Sequence, residues 1–239
     1  LMAQQGIDVM LVNSAANFVY TSGIYDITML MLMESQLLDQ FTVIPREGEP
    51  VLLINSGLLE NAEEMSEIKD IRTTPTGAWL VRKKKHKDFA SNPIEGVKKI
   101  LEERRLTNGR VGIEKGHVTL SLYEGLRDEL PDAQFCDIKG IVQNLRAIKT
   151  DEEIGKLKKS VEIDEKGYEA AFACIGEGVS DFDIIKEFKM AVAREGGDIS
   201  HLNYGVGPKG GVMFSQAYGH KAKRGDITVS YTHLTLPTN

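Results

Sequence analysis

The stretch GIDVMLV at residues 6–12 decides the start of the fold. Its glycine is expected to end a helical turn in the left-handed conformation, and the apolar run that follows predicts a strand. The polar residues Asn13, Ser14 and Asn17 predict a turn after this strand. Phe18–Tyr20 then predicts a short further strand or turn.

Strands and helices alternate from there to about residue 147, and this alternation is typical of a layered α/β domain. Two apolar runs joined by a loop with glycine predict a hairpin, and Asn92 with Pro93 predicts a helix start. The predicted elements are strands Phe41–Ile44 and Val51–Ile54, a helix over Leu58–Met65, a strand over Ile68–Thr73, a helix from Pro93 to about Arg105, a strand over Arg110–Glu114, a helix over Leu120–Leu130 and a strand over Gln134–Ile138.

Long helices replace this alternation near residue 150. Thr150 and Glu153 form a capping box that opens the first long helix, and Ser180 with Asp183 caps a second one that ends at Gly196-Gly197. The first helix is expected to bury one apolar face, made of Ile154, Leu157, Val161, Tyr168, Ala171, Phe172 and Ile175. The second is expected to bury Ile184, Ile185, Phe188 and Val192.

Composition narrows the class of protein. The chain has 239 residues, 41% of them hydrophobic and 27% charged, which is ordinary for a globular protein with one large or two small domains. Its net charge of -6 argues against nucleic acid as a partner. No apolar run reaches the roughly 18 residues that a membrane helix needs. Cys136 and Cys174 lie far apart in apolar contexts, which predicts reduced, structural cysteines and a cytoplasmic location.

Common catalytic motifs are missing from the sequence, including G-x-S-x-G and H-E-x-x-H. The glycine-rich stretch Gly205–Gly211 does not have the spacing of a phosphate-binding loop, and instead predicts a tight loop beside a pocket. His201 and His220 flank this loop and are the histidines expected to have a role in the pocket. No histidine stands at a metal-ligand spacing from a cysteine, another histidine or an acid.

Several segments together resemble one family. Gly6–Val12 and Asn17–Gly23 look like the opening of the creatinase N-terminal domain. LRAIKTDEEI at residues 145–154 is similar to the R-x-x-K-[ST]-x-x-E-[IL] start of the catalytic domain of aminopeptidase P, prolidase and creatinase. Gly176–Ser180 resembles the helix-helix turn that follows, and Gly225-Asp226 resembles the turn before the first catalytic strand. By the order and spacing of these segments, the chain is identified as a member of the creatinase/prolidase/aminopeptidase P (M24) family.

The resemblance implies a mixed-sheet α/β domain of ribonuclease-H-like fold over residues 1–147, which contributes to dimer contacts and shapes the substrate entrance. Residues 148–229 would be the truncated start of an α+β pita-bread catalytic domain. Hydrolases of the family hold two divalent metals on two Asp, one His and two Glu and use them to activate a water. For the full-length parent the resemblance implies Mn, Co or Zn, a small peptide or small-molecule substrate, and a homodimer.

The sequence departs from the family pattern where the chemistry is expected. The first Asp ligand would stand at about Tyr231, and the remaining ligands would follow beyond the end of the chain. The family often places a substrate-contacting histidine eleven residues before the glycine of Gly225-Asp226, and Phe214 stands there. We therefore expect no catalytic and no metal-binding residues in this chain, and we predict that His201, Phe214 and His220 are substrate-binding.

Residues 230–239 do not continue the family pattern, and we expect them to be a non-native tail, such as translated adapter or vector sequence joined to a truncated gene. Three functions stay open. The chain is a fragment, inactive by itself, of an Xaa-Pro aminopeptidase or dipeptidase; or it is a metal-free peptidase-like binding module; or it is a creatinase-like or lyase relative that acts on a small non-peptide substrate. A Rossmann fold is disfavoured because no G-x-G-x-x-G follows the first strand.

Truncation has one further expected consequence. The helices of the second domain should expose an apolar face that the rest of the domain would cover. An exposed apolar patch of that kind predicts association or aggregation in solution.

Overall fold

The computed structural model describes residues 1–25, 33–34, 39–75 and 88–235. The chain divides between Ile148 and Lys149 into two compact units, and each is described by itself. The last residues of the expected tail, 236–239, lie outside the described residues. Within the described ranges, each helix is too short or too polar to cross a membrane.

A six-stranded mixed sheet forms the centre of the first unit, as the α/β prediction requires. Its strands lie in the order β4-β3-β2-β1-β5-β6. The predicted hairpin is confirmed, because β2 and β3 pair antiparallel with Val43 opposite Val51. β1 pairs antiparallel with β2 and parallel with β5. The strands are β1 (Val9–Val12), β2 (Phe41–Pro45), β3 (Val51–Asn55), β4 (Asp70–Thr74), β5 (Arg110–Ile113) and β6 (Gln134–Asp137).

Helices of the first unit pack on the apolar side chains of this sheet. Side chains alternate between the two faces of a strand, so Val9 and Leu11 of β1 join one core cluster while Met10 and Val12 join another. The helices are α1 (Ala15–Ser22), α2 (Leu59–Met65), α3 (Pro93–Arg104), α4 (Leu120–Glu129) and α5 (Ile141–Ala147), with 3-10 turns at Ala3–Gln5 and Ser56–Leu58.

The start of α1 corrects the sequence prediction. The residues expected to form a turn and a short strand form a helix instead, with Ser14 as its extended N-cap and Gly23 as its left-handed end at φ 76°. Phe18 lies on the inner side of this helix and is fully buried in the core. The polar residues at its start are buried and not part of a solvent-exposed loop. The backbone N–H groups of Asn13 and Ser14 and the side chains of Ser14 and Asn17 bind a buried carboxylate described below.

Two long helices and a two-stranded sheet make up the second unit. The capping box at Thr150 is confirmed. The Thr150 side chain accepts a hydrogen bond from the Glu153 N–H, and the Glu153 side chain accepts one from the Thr150 N–H. The side chain of Ser180 caps the second helix by accepting from the Phe182 N–H. The elements are α6 (Asp151–Cys174), α7 (Asp181–Arg194), β7 (Asp198–Val206), a 3-10 turn at Gly207–Lys209 and β8 (Thr228–Thr235).

The buried face predicted for α6 is wrong. Leu157, Val161 and Phe172 are 54%, 57% and 64% exposed, whereas Ile163 and Ala171 are buried. The cause is a glycine at residue 167, where a Cβ would lie 2.8 Å from side-chain atoms of Phe188 and Val192. α7 therefore packs against the side of α6 that carries small residues, and the row of large residues stays in solvent. Of the predicted face, Ala171 is buried and Tyr168 packs against the core. For α7 the prediction is confirmed at Ile184, Phe188 and Val192, which are buried, while Ile185 is partly buried against the same cluster.

Strand β8 extends through the first part of the segment expected to be a tail. Its antiparallel pairing with β7 runs from Val206 opposite Thr228 to Asp198 opposite Thr235, with an irregularity between Ile199 and His201. Residues 230–235 are therefore paired strand residues in this chain.

Candidate functional site

A cavity of about 240 Å³ lies beside the β7–β8 hairpin, and we call it the hairpin cavity. Gly205 leaves no room for a side chain, because a Cβ there would lie 2.3 Å from the carbonyl oxygen of Lys209. The connecting loop can therefore fold back over β7, where the Tyr204 N–H donates to the Ser215 carbonyl at 3.0 Å. The lining of the cavity includes Asn203, Phe214, Ser215, Val229 and Tyr231.

Phe214 forms part of the rim of this cavity. Its backbone has φ 57°, a left-handed conformation that is uncommon for a residue other than glycine. Its side chain is 66% exposed, so the ring meets both solvent and cavity. The neighbouring Ser215 is buried, and its Oγ has no hydrogen-bond partner among the described residues. The cavity thus combines an apolar rim with a buried hydroxyl.

His201 does not line this cavity itself, but it contacts two residues that do. Its Nε2 is 2.6 Å from the amide nitrogen of Asn203 and 3.5 Å from the phenol oxygen of Tyr231. Asn203 and Tyr231 face each other across the hairpin. This arrangement can offer an imidazole, an amide and a phenol to a bound molecule.

His220 takes part in a different contact. Its Nε2 lies 2.7 Å from a carboxylate oxygen of Asp226, which also accepts from the Lys223 N–H at 2.9 Å. The hydrogen bond from His220, followed by that from Lys223, holds the pKa of Asp226 below its usual range. Gly207 has φ 58° and allows this contact, because a Cβ there would lie 2.5 Å from the His220 Nε2. His220 therefore secures the Gly225-Asp226 turn.

Of the three residues predicted to bind substrate, Phe214 lines the hairpin cavity, and His201 contacts Asn203 and Tyr231, which line it. His220 is bonded to Asp226 in the turn before β8. Their role in binding stays a prediction. Sequence reasoning did not single out Asn203 or Ser215 as site residues. A signal for Asn203 was present, because side chains two residues apart on a strand share a face, which places Asn203 beside His201.

A buried carboxylate organises the first unit. Glu114, 4% exposed, follows the last residue of β5. Its carboxylate accepts from the backbone N–H groups of Asn13 and Ser14, each at 2.7 Å, and from the Ser14 hydroxyl at 2.7 Å. The Asn17 amide donates to it at 2.5 Å. Sequence reasoning missed this network, since the partners lie about a hundred residues apart in the chain.

Arg146 extends the network to the second family motif. Its guanidinium donates to the side-chain oxygen of Asn17 at 2.9 Å and lies 5.5 Å from the ring centre of Tyr20. The two motif segments therefore meet through residues of the first unit alone, with Arg146 against Asn17 and Tyr20. Beside them lies a cavity of about 340 Å³ that is also lined by Asp39, whose pKa is raised by burial.

The described residues do not fit the pair of divalent metals that the family resemblance implies. Among residues 1–25, 33–34, 39–75 and 88–235, no group of three or more His, Cys, Asp or Glu side chains is arranged to hold a metal. Tyr231, at the position expected for the first Asp, offers a phenol and not a carboxylate.

The class that this fold defines is a two-unit α/β protein whose first unit is a mixed-sheet domain and whose second unit begins with a pair of long helices. The sequence model of the creatinase/prolidase N-terminal domain matches residues 1–148. The chain therefore belongs to the creatinase/prolidase family.

Curated relatives agree with this assignment. The chain is 35% identical to a creatinase of Bacillus sp. (strain B-0618) over 104 residues, which cover 44% of this chain and 25% of that protein. It is 26% identical to a putative dipeptidase of Bacillus subtilis over 142 residues, which cover 58% of this chain and 39% of the relative. The chain thus matches well under half of the length of these relatives.

Solved structures share the fold along nearly the whole chain. The X-Pro aminopeptidase of Thermotoga maritima superposes with a TM-score of 0.71 at 21% identity, covering 95% of this chain and 58% of its own. The prolidase of Pyrococcus furiosus gives a TM-score of 0.71 at 21% identity, covering 98% of this chain and 64% of its own. The mixed-sheet domain followed by the start of a pita-bread domain is therefore the fold of this chain.

Proposed function

We propose that this chain is part of a metal-dependent hydrolase of the Xaa-Pro aminopeptidase or dipeptidase type, and that residues 1–239 do not hydrolyse peptides by themselves. The observation that carries the proposal is the extent of the structural match. A prolidase covers 98% of this chain, so the likeness includes both units and not only the N-terminal domain. The family resemblance adds two divalent metals, Mn, Co or Zn, for the full-length parent.

An assay of the chain with an Xaa-Pro dipeptide tests this proposal. The purified chain is incubated with Mn²⁺ or Co²⁺, with a full-length prolidase as the positive control. We expect no turnover above the blank, because a dinuclear site needs several oxygen and nitrogen donors in fixed geometry. Turnover that co-purifies with the chain through two chromatographic steps would contradict the proposal.

A creatinase-like activity of the complete protein is the second candidate. The observation that favours it is the 35% identity to a creatinase over 104 residues. The complete gene product, extended past residue 229, would be offered an Xaa-Pro dipeptide and creatine in parallel. Hydrolysis of the dipeptide alone supports the first candidate, and hydrolysis of creatine alone supports the second. Loss of several Asp, His and Glu ligands downstream, with no turnover of either compound, would instead favour a metal-free binding module.

For the complete protein we propose that the hairpin cavity contacts substrate through His201 and Phe214, while His220 acts by holding the turn before β8. The support is that Phe214 lines the cavity and that His201 contacts two residues that line it. Substitution of Phe214 by Leu in the complete enzyme is expected to change KM more than kcat. An unchanged KM in this variant would contradict a role for this rim.

We further propose domain limits at residues 1–147 and 148–229, with residues 230–239 as a non-native tail, and a cytoplasmic homodimer as the parent. Limited proteolysis tests the first limit and is expected to cut near residue 148. Continuous genomic DNA that encodes the tail would contradict its foreign origin. Light scattering of the complete protein tests the dimer, and a monomer would contradict it.

A further inference from the structure

The cavity of about 340 Å³ in the first unit lies at the start of helix α1, and we call it the α1 cavity. The described residues that line it all belong to the first unit. Its volume falls in the lower part of the range of roughly 300–1,000 Å³ that small-molecule sites occupy. Its lining holds one arginine and two carboxylates, so it offers both signs of charge to a small molecule.

Arg146 supplies the positive charge of the α1 cavity. Its guanidinium donates to the Asn17 side-chain oxygen at 2.9 Å and lies 5.5 Å from the ring centre of Tyr20, so its direction is fixed. Both of these groups are neutral, and among the described residues no carboxylate forms an ion pair with Arg146. A guanidinium has five N–H donors in a planar fork that matches a carboxylate. Arg146 therefore has donors left for the carboxylate of a bound molecule.

The first turn of α1 adds backbone donors to the same cavity. The first N–H groups of an α-helix have no acceptor within the helix, and an N-cap side chain usually accepts from one of them. The Ser14 side chain makes no such bond, because its hydroxyl donates to Glu114 instead. Ala15 and Ala16, whose N–H groups Ser14 leaves uncapped, line the cavity. A carboxylate bound here would also be favoured by the positive end of the helix dipole.

Asp39 and Glu34 supply the negative charge. Asp39 is half-buried, and burial raises its pKa above the usual range. Within the described part of the chain, no cation or hydrogen-bond donor pairs with the Asp39 carboxylate. Asn13 adds a neutral acceptor, since it is 8% exposed and its side-chain oxygen has no hydrogen-bond partner among the described residues. A carboxylate that has lost water and has no partner gains most from a bound cation.

We propose that the α1 cavity binds a free α-amino acid as its zwitterion, with the carboxylate against Arg146 and the start of α1 and the ammonium against Asp39 and Asn13. A zwitterion fits better than a single charge, because an anion alone would leave Asp39 unpaired and a cation alone would leave Arg146 unpaired. The lining also includes Met33, so we expect an apolar side chain on the amino acid. The site uses residues of the first unit alone, and it does not rest on the function proposed above.

Calorimetric titration of the whole chain at neutral pH tests the site with L-leucine and two analogues that each lack one charge. 4-Methylpentanoate lacks the ammonium group, and 3-methylbutylamine lacks the carboxylate. We expect one leucine to bind per chain and each analogue to bind at least about tenfold more weakly, because each loses a charge-assisted contact. In an NMR titration of the same chain, leucine is expected to shift the amide signals of Ala15 and Ala16. The NMR measurement needs no variant, so it does not depend on how a substitution affects folding.

Variants assign the two ends of the site. Asp39→Asn is expected to weaken leucine and 3-methylbutylamine at least about tenfold and to leave 4-methylpentanoate unchanged, and Arg146→Gln is expected to do the reverse for the two analogues. A merely structural loss would weaken both analogues together. Arg127→Gln is the matched control, since Arg127 also lies over a tyrosine ring, that of Tyr123, but does not line the cavity. No binding of leucine, analogues that bind as tightly as leucine, amide shifts that spare Ala15 and Ala16, or leucine binding that survives Asp39→Asn would overturn the proposal.

Discussion

The two units of the chain differ in how completely they bury the side chains that carry the family motifs. In the first unit the motif residues Asn17 and Arg146 belong to a closed polar network around Glu114. In the second unit the motif helix α6 leaves a row of large apolar residues exposed, and Phe214 stands at the rim of an open cavity. The motif residues of the first unit are thus held by polar contacts within the fold, whereas the second unit leaves large apolar side chains accessible to solvent.

Loss of the Glu114 carboxylate is expected to have the largest effect. Glu114→Gln removes a charged acceptor from four donor groups on Asn13, Ser14 and Asn17. Hydrogen bonds to a buried charge contribute about 1.5–3 kcal/mol each and are not additive, so we expect the free energy of unfolding of the first unit to fall by about 3 kcal/mol. Denaturant unfolding followed by circular dichroism measures this.

Glu124→Gln is the matched control for this variant. Glu124 is an exposed acid on α4, and its replacement is expected to change the free energy of unfolding by less than about 0.5 kcal/mol. If both variants unfold at the same denaturant concentration, the network around Glu114 does not stabilise the first unit.

Replacing either of two glycines of α6 by alanine is expected to have the next largest effect on stability, and the two substitutions are expected to act in opposite directions. At Gly167 a Cβ would lie 2.8 Å from atoms of Phe188 and Val192, whereas at Gly155 no atom lies within 4 Å. Gly167→Ala is therefore expected to destabilise the second unit by about 1–3 kcal/mol through overpacking. Gly155→Ala is expected to stabilise the same helix by about 0.5–1 kcal/mol.

Thermal unfolding of the two glycine variants measures the difference between them. Equal midpoints would mean that α7 does not pack closely on residue 167, and the account of why the large residues of α6 are exposed would then fail.

The sequence allowed much of the secondary structure of both units to be predicted, because the signals are local. The hairpin loop, the Asn92 cap and the capping box at Thr150 each involve residues within a few positions of one another, and all three occur as predicted. The α1 prediction failed for the opposite reason. What stabilises Asn13 and Ser14 at the helix start is Glu114, about a hundred residues away.

The face of α6 shows a second limit of pattern reading. Periodicity identifies a row of large apolar residues, but it does not say which side a partner helix covers. Here the small residue Gly167 decided the contact, because it lets Phe188 and Val192 approach closely. The hairpin cavity was predictable only as a glycine-rich loop near His201, since its lining is set by strand register and by the backbone of Phe214.

Charged substitutions in the exposed row of large apolar residues on α6 are expected to reduce self-association and to change the stability of the chain little. The double substitution Leu157→Glu and Phe172→Glu places charges on side chains that are 54% and 64% exposed. We expect less self-association and weaker binding of an apolar dye, because the exposed apolar patch is interrupted. Light scattering across a concentration series measures this, with Glu152→Gln on the same helix as the control. A parent chain that is already monomeric and does not bind the dye would contradict the prediction.

The smallest expected effect concerns the turn before β8. The hydrogen bond from His220 lowers the pKa of Asp226, so His220→Gln is expected to raise that pKa toward its ordinary value of about 3.9. A carboxyl with a lowered pKa in the folded state stabilises the fold above its unfolded pKa, and this contribution is lost as the pH falls through the folded pKa. The parent should therefore lose this contribution at a lower pH than the variant does.

Carbon-detected NMR titration of the Asp226 carboxyl measures this shift, with His117→Gln as the control that leaves it unchanged. An Asp226 titration that is the same in the parent and in His220→Gln would show that the imidazole does not hold this carboxylate.

Hydrogen exchange read by mass spectrometry tests the contrast between the two units most directly. β1 and β5 lie inside a six-stranded sheet with neighbours on both sides, whereas β7 and β8 form a sheet of two strands, an arrangement that is marginally stable without further packing. We predict slow exchange in Val9–Val12 and Arg110–Ile113 and faster exchange in Asp198–Val206. Protection of Asp198–Val206 that equals or exceeds that of Val9–Val12 would contradict the account.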